Sequence, residues 1–121
     1  METLLNSAAL AKYRDNSEII RKTTLQVIKD FNQFGMEVNF PDDLQYAYPA
    51  LFNQLHLHVS ELINSNIKKL YALLYRIDIH ENAIRKKVKE QSGNELTEII
   101  TALILERELK KVILKDYFSK L

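Results

Sequence analysis

The stretch from Asn94 to Phe118, NELTEIITALILERELKKVILKDYF, decides how this chain folds. Its apolar residues recur three and four apart, the period of a helix, and Asn94 stands where a capping oxygen is needed. On a helical wheel Leu105, Leu109, Val112 and Ile113 form one arc. Leu96, Ile99 and Leu103 form another, joined to the first through Ala102 and Tyr117. Together they cover about half the circumference, which places this helix at the centre of a bundle rather than on its outside. Ile104 lies off the main arc, and Arg107, Lys111 and Lys115 fall on the polar side. Glu106 falls inside the apolar arc, with Lys110 four residues on. An ionised Glu is costly to desolvate, so a partner is required. The expectation is a structural ion pair of Glu106 with Lys110 and, across the bundle, Arg76. The sequence sets no second carboxylate or His beside Glu106, so a role in acid–base catalysis is not expected.

Working outward, Asp78-Ile79-His80-Glu81 carries an Asp-x-x-Glu capping signature. It predicts a short basic helix with Ile84 and Val88 inward, ending near Gly93. Before it, Ile63, Ile67, Leu70, Leu74 and Ile77 share one register, but Asn64-Ser65-Asn66 is poor helix sequence and argues for a break. Leu51, Phe52, Leu55, Val59, Leu62 and Ile63 stripe the preceding helix, with Pro49 in its first turn, where the missing N–H is not needed. Residues 36–49 break the helical period, and their brief alternation at Val38 and Phe40 is too short for a strand. Asp15 with Glu18 predicts a cap for a helix running to about Phe34. Ile20, Thr24, Val27, Ile28, Phe31 and Phe34 lie along one face, and Gly35 is the stop. Thr3–Arg14 is a further short helix candidate. The fold class is all-α, a compact bundle of five or six helices with a long, largely buried C-terminal helix, forming one domain over 1–121.

Composition narrows the functions. The chain has 121 residues, 46% of them apolar and 27% charged, which excludes wholesale disorder. Two Gly and two Pro are too few for a turn-rich β-sandwich. With no Cys, disulfides, cysteine-ligated zinc, iron–sulfur clusters and thiol catalysis are excluded. Leu70–Tyr75 is the longest apolar run, well below the roughly 20 residues that span a bilayer. Met1-Glu2-Thr3 lacks the basic start and apolar core of a secretory signal, so a cytoplasmic location is expected. The net charge is +1 and the pI about 7.9, with residues 1–60 mildly acidic and residues 61–121 mildly basic. Domains that bind by neutralising phosphates usually have a pI above about 9, so bulk electrostatics gives no push toward nucleic acid.

Leu73-Leu74-Tyr75-Arg76-Ile77-Asp78, followed by Ile104-Leu105-Glu106-Arg107-Glu108-Leu109, resembles a group of small bacterial helical proteins of unknown function. The resemblance covers roughly 62–115. It implies a compact helical protein from a bacterium and carries over no activity, cofactor or site residue.

The residues offer little for catalysis. His56 and His58 are two apart, about 200° around a helix, and cannot share an ion; His58 and Glu61 are the one compatible pair. Di-iron bundles need two Glu-x-x-His motifs, and none is present, so no metal or cofactor is expected. There is no Gly-x-Ser-x-Gly elbow, no His-Glu-x-x-His and no glycine-rich phosphate loop, so the protein is not expected to be an enzyme. Residues 84–105 have the outline of a helix–turn–helix, but the second helix would present Glu95, Leu96, Thr97 and Glu98 to DNA, which repels phosphate. Tyr and Phe suit interfaces, and Phe40, Tyr46, Tyr48 and Phe52 cluster around two prolines; Leu57 lies opposite its helix's stripe. The expected function is therefore non-enzymatic, through a protein partner or a homodimer. The alternative is a nucleic-acid-associated accessory role for a basic face of Arg85, Lys86, Lys87 and Lys89 with Lys110, Lys111 and Lys115.

Overall fold

A computed structural model describes residues 16–121. Over that range the chain is all-helical: α1 (Ser17–Asn32), a 3₁₀ turn (Leu44–Tyr46), α2 (Ala47–Ser65), α3 (Ile67–Ile77), α4 (Glu81–Glu90) and α5 (Leu96–Ser119). The helix expected over Thr3–Arg14 and the cap expected at Asp15 lie outside the described residues. The cap observed on α1 is Asn16, whose side chain accepts from the N–H groups of Glu18 and Ile19, each at 3.1 Å.

Two helices end by the same device. At Gly35, φ is +72°, the Gly35 N–H donates to the Asn32 carbonyl and the Met36 N–H to the Phe31 carbonyl. At Asp78, φ is +70°, the Asp78 N–H donates to Tyr75 and the Ile79 N–H to Leu74. Both are Schellman closures, each followed by an apolar residue that folds back onto its helix. The Gly35 stop is as the sequence suggests, although α1 itself ends at Asn32. Asp78 is a correction. It does not cap α4; it ends α3 in a left-handed conformation, and His80 precedes α4 with no side-chain cap. Asn94 is a second correction, because Glu95 is the residue before α5 and the Asn94 amide instead donates to Gln91 Oε1 at 3.2 Å.

The break between α2 and α3 falls at Asn66. Its N–H donates to the Leu62 carbonyl, finishing α2, and its side chain accepts from the Lys69 N–H at 3.1 Å, starting α3. The extended segment before the 3₁₀ turn forms no strand. It buries Met36 and Val38 and is strapped to α2 by polar side chains. Gln54 accepts from the Asn39 N–H at 2.8 Å and donates to the Asn39 carbonyl at 3.0 Å. His58 donates to the Glu37 carbonyl at 2.7 Å.

α5 is central: it runs along α1 and α2, and α3 and α4 also pack on it. The main core joins Phe31, Leu55, Leu73, Ile77 and Leu105 with Ile104, which is fully buried. Ile104 therefore belongs to the core and not to the spare surface that the wheel assigned it. A smaller cluster of Ile19, Leu109, Val112 and Ile113 closes the other end. No described helix is long and apolar enough to cross a membrane.

Candidate functional site

An apolar groove of about 450 Å³ opens between α3, α4 and the first turns of α5. Its floor is Leu70, Leu74 and Ile100, whose faces belong to the main core. Its walls are partly exposed apolar side chains: Ile67 and Tyr71 on α3, Val88 on α4 and Leu96 on α5. Tyr71 is 64% exposed and Val88 39%. Val88 and Leu96 thus stand at the surface, not in the interior as their spacing suggests. The reason is that α4 buries none of its residues fully and lies on the bundle only through half-buried Ile84 and its neighbours. Glu81, Arg85 and Lys89 stand four apart along the edge; Arg85 is tied to Glu81 at 2.7 Å, and Lys89 has no ion pair among the described residues.

A second cleft of about 370 Å³ runs between α1 and α5, beside Leu25, Lys29, Val112 and Lys115. Of its lining residues only Leu25 is a large exposed apolar side chain, against four in the groove, so the groove has more uncovered apolar area to lose on docking. At this cleft Lys22 meets Asp116 at 2.9 Å, which raises the Lys22 pKa and lowers that of Asp116 through their hydrogen bond.

The residues named from the sequence are divided. Phe40 and Tyr46 are exposed, whereas Tyr48 and Phe52 pack in part against the main core. Leu57 is 72% exposed on the outer face of α2. None of the five lines the groove. The expected basic face is also divided. Lys110 pairs with Glu106 at 3.1 Å, Lys87 with Glu90, and Arg85 with Glu81, while Lys86 and Lys115 are exposed without an ion pair among the described residues. Lys111 is not on a solvent face; its ammonium is turned inward to Asp30 at 3.7 Å and Glu108 at 3.1 Å.

That inward turn exposes the main error in the ion-pair reading. Glu106 is half-exposed, and Arg76 meets Asp30 at 3.6 Å rather than Glu106. The buried carboxyl is Glu108, fully enclosed on α5 between Leu105 and Leu109. A signal for it was present: Thr101, Leu105, Glu108 and Val112 fall at heptad spacing, and all four are buried. Burial pushes the Glu108 carboxyl up to about 8, with the nearby Asp30 carboxylate adding to the rise and Lys111 opposing it. Neither Glu108 oxygen has a directed hydrogen-bond partner. Asp30, itself buried, is held by Arg76, Lys111 and the Gln26 amide at 3.2 Å. The cluster joins α1, α3 and α5, and both of its carboxyls, Asp30 and Glu108, are buried.

His58 is occupied by the Glu37 carbonyl, and His56 stacks on Phe52 with ring centres 6.1 Å apart. Among the described residues no group of three or more His, Asp or Glu side chains is placed to hold a metal ion. No protein-family model, no curated protein and no solved structure matches the chain.

Proposed function

We propose that the protein is a non-enzymatic, cytoplasmic binding module that acts by docking another protein. The observation that carries this is the groove between α3, α4 and α5, where four large apolar side chains are left uncovered beside the core. Exposed apolar area gathered in one place costs hydration free energy, which a partner's apolar face recovers. The catalytic alternative has less support, because the one strongly perturbed acid among the described residues, Glu108, is buried inside the bundle. The nucleic-acid alternative rests on the unpaired Lys86 and Lys89 of α4, and is weakened by the inward turn of Lys111.

The test is affinity capture of the tagged full chain from its host, with and without nuclease, beside the Val88→Asp variant. A stoichiometric protein that survives nuclease and is lost with Val88→Asp supports the reading. Partners that vanish with nuclease transfer the role to the basic residues. Partners retained by Val88→Asp remove the groove from the interface.

A further inference from the structure

We infer that the groove takes the apolar face of a partner's amphipathic helix whose flanks are acidic. This rests on the protein-binding reading above and specifies the partner's chemistry. The walls supply the shape. Ile67 and Tyr71 are four apart on α3, and Ile84 and Val88 are four apart on α4, so each wall offers two apolar ridges one helical turn apart. Floor residues Leu70, Leu74 and Ile100 lie between them. Walls of 11 and 10 residues are about 15 Å long, the span of roughly three turns of a docked helix and of anchors at i, i+4 and i+7.

The rim supplies the charge. The titratable side chains lining the groove, besides the Tyr71 hydroxyl, are Glu81, Arg85 and Lys89. Glu81 and Arg85 satisfy each other at 2.7 Å, which leaves Lys89 as uncompensated positive charge. Lys86, three residues earlier on the same helix and outside the groove lining, is exposed and adds to the positive charge of α4. An acidic flank answers that charge. A second copy of this chain carries the same net positive rim and so does not supply that acidic flank.

The experiment uses the full chain and two fluorescein-labelled synthetic helices of about 18 residues, long enough to exceed the groove. Both carry Leu at i, i+3, i+4 and i+7; one is flanked by Glu, the other by Lys. Fluorescence anisotropy should show the Glu-flanked peptide binding at least about ten-fold more tightly at low salt, with the preference shrinking as salt is added. Arg85→Glu combined with Lys89→Glu should reverse the preference, and Val88→Asp should abolish binding of both peptides. All three side chains are at the surface, and an unchanged circular dichroism spectrum confirms that the variants are folded. Equal affinity for the two peptides, or a preference that survives charge reversal, overturns the inference. So does a dimer mass by light scattering that reverts to monomer in Val88→Asp, since a second copy then holds the groove. If neither peptide binds while Val88→Asp still loses the captured cellular partner, the acidic-helix inference fails and the docking groove stands. If the captured partner is retained, the docking reading itself fails.

Discussion

Glu108 is a carboxyl held wholly out of water. An acid held at about 8 in the fold and near 4.5 in the unfolded chain binds its proton more tightly when folded. Its favourable contribution is therefore complete below about 4.5 and is lost as pH rises through about 8. Glu108→Gln keeps the shape and removes the titration. The variant should flatten the decline of melting temperature between these two pH values and be the more stable protein at pH 9, by on the order of 2–4 kcal/mol. A wild-type and variant pair with parallel pH profiles would show that Glu108 does not titrate in this window. Asp78 is the other residue under constraint. At φ +70° a side chain with Cβ is strained, and the Asp carboxylate is in part compensated by Arg107 at 3.1 Å. Asp78→Gly should be neutral or stabilising, whereas Asp78→Ala should cost about 1 kcal/mol by chemical denaturation.

At the scale of elements, the helices differ in what holds them. α5 keeps nine buried side chains, so its amides open only when the bundle does; α4 has none, so it opens locally. Hydrogen exchange should show α4 among the least protected helices and the middle of α5 the most protected; equal protection would mean that α4 is anchored by more than half-buried Ile84 and its neighbours. The α2–α3 joint depends on one side chain that ends one helix and starts the next. Asn66→Ala removes the acceptor for the Lys69 N–H and should cost about 1 kcal/mol, read by urea denaturation.

At the scale of the molecule, the bundle separates where it is stabilised from where it is open. Ile104 is fully buried in the main core, so Ile104→Ala should cost about 2–5 kcal/mol through lost burial and the cavity left behind. Val88 is half-open at the groove, so Val88→Asp should leave thermal stability within about 1 kcal/mol of wild type while removing docking. Thermal melts of the two variants side by side check both statements. A large loss for Val88→Asp would mean that α4 is part of the core and that the groove is not a free surface.

The sequence by itself determined the helical class, the stop at Gly35 and the central place of α5, and it pointed to a break within Asn64-Ser65-Asn66 that the structure sets at Asn66. Each follows from local chemistry: periodic burial, a side chain that caps, or a backbone angle that glycine adopts freely. The Asp78 assignment failed because the same Asp-x-x-Glu spacing fits a cap, while the chain entering it was already a closing helix with Ile79 returning to Leu74. What only the tertiary structure decided is which side of each helix is covered. A wheel shows that half of α5 is apolar, but it centred the arc away from Glu108 and put Ile104 outside it, because the arc's orientation is set by where α1 and α2 pack. The groove was hidden for the same reason. Ile67, Val88 and Leu96 read as ordinary core positions on three separate helices, and their exposure, with that of Tyr71, arises from the way α4 rests on the bundle without closing over α3.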